Sequence, residues 1–110
     1  MKKIDIKKVK RMTGDYDAWL MSYLKNKKTA CAYLQSALDA YQADHDKAAF
    51  MLALKDVAKS QGGIGNLSSE TNLNREHLYR VLSGKGNPTL DTLTTILLAF
   101  GIQIKLAIAA

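Results

Sequence analysis

Residues 62–101 are cut by Gly and Asn into short amphipathic segments, and that punctuation constrains the fold more than anything else in the chain. Gln61-Gly62-Gly63 ends one helical pattern, because Gly takes the left-handed conformation that closes helices. Residues 64–71 then read as a short helix with Ile64 and Leu67 inward. Asn72 falls where a turn is required, and Asn tolerates positive φ better than any residue except Gly. Asn74 is placed to N-cap a second helix, its side-chain oxygen accepting from a backbone N–H of the first turn. That helix carries Leu78, Val81 and Leu82 on one face and stops at Ser83-Gly84. After the loop Lys85-Gly86-Asn87-Pro88, Thr89 caps a last helix with Leu90, Leu93, Ile96, Leu97 and Phe100 inward, closed by Gly101. Two short helices joined by so tight a turn match a helix-turn-helix.

Upstream, Asp15-Tyr16-Asp17 precedes Trp19, Leu20, Tyr23 and Leu24, a pattern of two helical turns interrupted by Lys25-Asn26-Lys27-Lys28. Thr29 is placed to cap a helix with Ala30, Tyr33, Leu34, Ala37, Leu38 and Tyr41 on one stripe. Gln42-Ala43-Asp44-His45-Asp46 reads as a turn, and a further helix sets Phe50, Leu54, Val57 and Ala58 inward. The C-terminus changes period. Ile102, Ile104, Leu106 and Ile108 alternate with Gln103, Lys105 and Ala107, the spacing of two that a strand uses. No other segment reads as a strand, so this one either pairs with another chain, its twin or a different protein, or lies as an apolar tail over the helical core. The expected architecture is therefore all-α, a bundle of about five helices with an N-terminal helical extension and a C-terminal β-strand. It divides into a basic arm over 1–14, the extension over 15–47, and the helix-turn-helix unit with its strand over 48–110.

Of the 110 residues, 47% are apolar and 24% charged, which excludes a disordered tail. No apolar run approaches the roughly 20 residues that span a bilayer, so no membrane partner is expected. The N-terminus is basic but no apolar stretch follows it, so a secretory signal is not expected. Cys31 is the only cysteine and cannot form an internal disulfide, which fits a cytoplasmic protein. The net charge of +6 is unevenly placed. Lys2, Lys3, Lys7, Lys8, Lys10 and Arg11 stand against Asp5, whereas residues 12–110 carry ten basic and nine acidic groups. Such an arm either holds a polyanion through counterion release or serves as a solvated leader.

The chemistry lies on the second helix of the helix-turn-helix. The first helix needs a small residue where the second crosses it, and Ser68 is small; Leu73, Leu78 and Val81 face the first helix. The outward side is Arg75, Glu76, Tyr79 and Arg80. Arginine reads guanine edges bidentately in the major groove, glutamate accepts from a cytosine amino group, and a helix N-terminus favours phosphate. The run Leu67-Ser68-x3-Asn72-Leu73-Asn74-Arg75-Glu76-x-Leu78-Tyr79-Arg80-x-Leu82-Ser83-Gly84-x-Gly86-Asn87-Pro88-Thr89-Leu90-x-Thr92-Leu93 resembles the lambda-repressor-like (Xre/Cro) DNA-binding domain. More narrowly, it is similar to the probable addiction-module antidote proteins, a HigA-like antitoxin group. Their upstream segments are matched by Ala32-Tyr33-Leu34-Gln35-Ser36-Ala37-Leu38 and by Ala53-Leu54-Lys55-Asp56-Val57-Ala58-Lys59. The resemblance covers about residues 27–106, and its most specific part is the Arg-Glu, Leu-Tyr and Gly-Asn-Pro stretch.

That resemblance implies an antitoxin encoded beside a small RelE/ParE-like toxin, which it silences, and a homodimer that represses its own operon by binding double-stranded operator DNA. Carried onto this chain, the base-reading candidates are Arg75, Glu76 and Arg80, with Asn74 and Tyr79 beside them and Lys85 and Asn87 as phosphate candidates. The chain departs from the family pattern with Asn72 in place of Gly and Ser68 where Ala is usual; both keep the geometry. Over residues 62–100, Arg75, Arg80 and Lys85 are balanced by Glu70, Glu76 and Asp91, so affinity for DNA would draw on dimerisation or on the arm.

The remaining conspicuous residues have quieter readings. His45, His77 and Cys31 lack metal-ligand spacing, so no metal or other cofactor is expected. His77, in the first turn of the recognition helix, is a further contact candidate. Asp44 and Asp46 flank a turn as solvating or capping residues, and Gly62-Gly63-Ile64-Gly65 reads as a helix boundary. Trp19, Tyr23, Tyr33 and Tyr41 at helical spacing read as core, with a toxin-binding patch around Trp19 as the alternative. No catalytic constellation is present, and an enzyme is not expected. Two other functions stay open: a stand-alone Xre/Cro-type repressor without a toxin, and a toxin-binding protein with weak DNA binding. In the latter, residues 1–40 or the strand at Ile102, Ile104, Leu106 and Ile108 would carry the contact.

Overall fold

The computed structural model describes residues 14–110, so the basic arm expected over 1–14 lies outside the described residues except for Gly14. Among the described residues there are six α-helices and no strand: α1 Gly14–Leu24, α2 Lys27–Asp44, α3 Lys47–Ser60, α4 Gly63–Thr71, α5 Arg75–Leu82 and α6 Leu90–Ala99. The all-helical expectation holds, with one helix more than the approximate count.

α3 is the central element. Phe50, Met51, Ala53, Leu54, Val57 and Ala58 are all buried, so it is apolar on most of its circumference and packs against α1, α2, α4 and α5. α6 closes the bundle against α4, with Ile96, Leu97 and Phe100 buried. One hydrophobic cluster runs from Leu20 and Leu24 of α1 to Phe100. Within it, Asp56 is fully enclosed, and the buried Tyr33 hydroxyl donates to its carboxylate at 2.8 Å. Burial, then the Asp56 charge, then that hydrogen bond raise the Tyr33 pKa far above the ordinary tyrosine value.

Several local expectations are corrected. Asn26, not Thr29, caps α2: its side chain accepts from the N–H groups of Lys28 and Thr29 at 2.8 and 3.3 Å. The Thr29 hydroxyl instead donates to the carbonyls of Tyr23 and Asn26, tying α2 to the end of α1. The turn expected at 42–46 is shorter. α2 continues to Asp44 and closes on His45 in the left-handed region, φ 57°, whose N–H returns to the Tyr41 carbonyl at 2.6 Å. Asp46 then caps α3 by accepting from the Ala49 N–H.

Burial corrects two apolar stripes. Leu20 and Leu24 face the core, whereas Trp19 and Tyr23 are 52% and 37% exposed and stack on each other, 4.9 Å between ring centroids. Tyr33 is buried and Tyr41 half-buried, so only that part of the expected aromatic core is core. Leu90, expected inward, is 72% exposed, whereas Leu93 three residues on packs against the core.

The C-terminal strand does not form within the chain. Residues 102–110 belong to no helix or strand, since a ladder needs a second strand and the described residues supply none. The alternative of a tail laid over the core also fails. Ile102 is half-buried and donates its N–H to the Leu97 carbonyl at 2.9 Å, but Leu106 and Ile108 are 97% and 100% exposed.

Candidate functional site

The connection between α4 and α5 is three residues long and hydrogen-bonded throughout. Asn72 takes φ 61°, as a left-handed residue must to close α4, and its N–H donates to the Ser68 carbonyl at 3.0 Å. The Ser68 hydroxyl donates to the Leu73 carbonyl at 2.5 Å, and Thr71 Oγ1 accepts from the Leu73 N–H at 3.2 Å. Ser68 therefore holds the turn as well as being small enough for the crossing. Asn74 caps α5, accepting from the His77 N–H at 2.7 Å. Thr89 caps α6 in the same way through the Thr92 N–H.

With Leu78, Val81 and Leu82 buried, α5 can present only one face outward. Asn74, Arg75, Glu76, Tyr79 and Arg80 are exposed on it and His77 is half-buried, its Nδ1 3.3 Å from the Arg80 guanidinium. Arg75 lies back over α4: a Cβ built on Gly65 would stand 2.8 Å from its guanidinium nitrogen. Gly65 thus leaves the space that the Arg75 side chain occupies, a role that its place in a glycine-rich run did not suggest. A glycine inside a helix costs about 1 kcal/mol relative to Ala, which is the signal that could have found it.

The loop 83–89 continues this surface. Gly84 takes φ 82° and sits so close to Ala48 that a Cβ there would come within 3.1 Å of the Ala48 backbone. That contact seats the loop on the start of α3. Lys47 donates from Nζ to the Asn87 side-chain oxygen, and Lys85 is exposed beside it. Lys47 is a cation that sequence reasoning missed, because its partner is 40 residues away. This surface carries Arg75, Arg80, Lys85 and Lys47, with Glu76 on α5 and Asp46 beside Lys47 as its acidic members.

The other candidate set is not on this surface. Ile104 and Leu106 border a groove of about 460 Å³ between the C-terminal tail and α2, floored by Leu34, Phe50 and Leu97. Among the described residues no group of three or more His, Cys, Asp or Glu could hold a metal ion, and no helix is long and apolar enough to cross a membrane.

Comparison with known proteins adds two findings. A family model described as "Probable addiction module antidote protein" matches residues 15–108. An uncharacterized protein of Haemophilus influenzae is 34% identical over 53 residues, 48% of this chain and 54% of its own length. The chain thus spans about half the length of the curated relative it matches. No solved structure matches significantly.

Proposed function

The chain belongs to the family of probable addiction module antidote proteins, and from that premise we propose that it is the antitoxin of a type II toxin–antitoxin module. In this reading it neutralises a RelE/ParE-like toxin in the cytoplasm and, as a homodimer, represses its own operon by sequence-specific binding to double-stranded DNA. Residues 48–110 act as a lambda-repressor-like helix-turn-helix unit, with 15–47 as a helical extension. The observation that carries the DNA-binding half is the exposed polar face of α5, raised on a turn closed by Asn72, Ser68 and Asn74.

α5 enters the major groove. Arg75 and Arg80 reach guanine edges, Glu76 accepts from a cytosine amino group, and Tyr79 packs beside them. Asn74 and His77 stand near the α5 N-terminus, where partial positive charge favours phosphate. Lys85, Asn87 and Lys47 hold the backbone on the other side and set register without reading sequence. Two copies bind half-sites about one helical turn apart, so the operator is palindromic.

Arg75→Ala tests the assignment. It should cost about 1–3 kcal/mol of operator affinity and relax base choice at one position, while Lys85→Ala weakens all sequences alike and lowers the salt slope by about one. Unchanged affinity and preference for Arg75→Ala in a titration at fixed salt would remove it from the reading surface.

A second reading has its own observation. Trp19 and Tyr23 form an exposed stacked pair on α1, and aromatic anchors dominate protein interfaces. Toxin capture is then the primary role and DNA binding is secondary. The two readings part on whether the toxin-bound or free protein shifts the upstream DNA at low salt.

A further inference from the structure

The C-terminal tail is left in a state that water does not favour. Leu106 and Ile108 are almost fully exposed and Ile104 is 42% exposed, although all three are large and apolar. Among the described residues, no backbone group of residues 103–110 is hydrogen-bonded to another part of the backbone. Exposed apolar side chains on alternate positions, with free ladder groups between them, are a template for another strand.

We propose that the occupant is the same tail of a second copy, paired antiparallel about a two-fold axis through Leu106. The register follows from the sequence. Centred there, Leu106 stands opposite Leu106 of its twin, Ile104 opposite Ile108, and Ile102 opposite Ala110, so every large apolar residue of the tail lies on one face. Lys105 stands opposite Ala107, and no like charges meet. Centring on Lys105 instead sets the two lysines against each other, which is unfavourable in directly opposed pairs. Centring on Ile104 sets Ile108 opposite Phe100, which is buried at the end of α6. A slip of one residue turns the apolar face against the polar one.

A two-stranded ribbon is marginal in water unless it packs on something. The groove beside the tail supplies the support: its floor of Leu34, Phe50 and Leu97 is continuous with the core, and Ile104 and Leu106 already border it. The paired tails would carry their shared apolar face over that floor. This pairing would provide the dimer that operator binding calls for, yet it stands on the tail alone and its test involves neither DNA nor toxin.

The test uses the full chain with Cys31→Ser, because Cys31 lines the same groove and would form mixed disulfides. Directly opposed residues in an antiparallel pair have Cα atoms about 4.5–5.5 Å apart, within disulfide range. Residues 105 of the two copies are diagonal neighbours, about 7–8 Å apart and beyond that range. Under mild oxidation Leu106→Cys should give a covalent dimer, and Lys105→Cys should crosslink at least about tenfold more slowly. Lys105→Cys combined with Ala107→Cys should restore the crosslink. In sedimentation the unmodified chain should run as a dimer and Leu106→Glu as a monomer with unchanged helical circular dichroism. A monomeric unmodified chain, equal crosslinking at 105 and 106, or a dimer that survives Leu106→Glu would overturn the proposal.

Discussion

At the scale of single residues, the Tyr33–Asp56 pair shows what the core demands of its polar members. Asp56 is enclosed among apolar side chains, and the Tyr33 hydroxyl is one of the groups that satisfies it. Tyr33→Phe withdraws that donor from a buried carboxylate and should cost about 1–3 kcal/mol in denaturant unfolding. The pair also sets a pH dependence. The folded state holds Tyr33 protonated well above the pH at which an unfolded tyrosine ionises, about 10, so above that pH the unfolded chain loses a proton that the folded chain keeps. The stabilisation is complete below about pH 10 and is lost as pH rises further, and Tyr33→Phe should show a shallower alkaline decline. A decline of equal slope in both proteins would contradict this. The residues most readable in the sequence were those whose partners are near neighbours. The left-handed conformation of Asn72 and the caps at Asn74 and Thr89 each involve residues within four positions. Asp56 and Tyr33 are 23 positions apart, and their pairing was not legible: Tyr33 read as part of an apolar stripe and an aromatic set, and both residues as parts of family-like segments.

At the scale of elements, periodicity located the helices but did not fix which stripe of each faced inward. On α1 the adjacent pairs Leu20/Leu24 and Trp19/Tyr23 share the same spacing, and only packing against α2 and α3 decides between them. Leu90 shares the stripe of Leu93, Ile96 and Leu97 by spacing, yet only the latter three meet the core. The C-terminal alternation predicted a strand, and none forms among the described residues, where no second strand is present to complete a ladder. α5 carries the proposed base-reading residues, and at eight residues its first turn is a large part of it. Asn74→Ala removes the oxygen that satisfies the His77 N–H and should cost about 1 kcal/mol of stability, which thermal unfolding would register. Asn74→Ser should recover most of that loss. If stability returns while operator affinity does not, the amide itself contacts DNA.

At the scale of the whole molecule, the bundle brings Lys47 from the start of α3 to Asn87 beyond α5 and so joins two segments 40 residues apart on one surface. That juxtaposition could not be read from linear spacing. The same bundle exposes the aromatic pair of α1, the apolar tail and the polar face of α5 on a chain of 110 residues. The central claim is that this one chain does both jobs. Its most direct test is co-purification of the tagged protein with the product of the adjacent gene, followed by a gel shift of the complex on the upstream DNA at fixed salt. The account predicts a stable complex that shifts the DNA, with a partner that arrests growth when expressed alone. A harmless neighbour that does not co-purify, or a complex that leaves the DNA unshifted even at low salt, would contradict it.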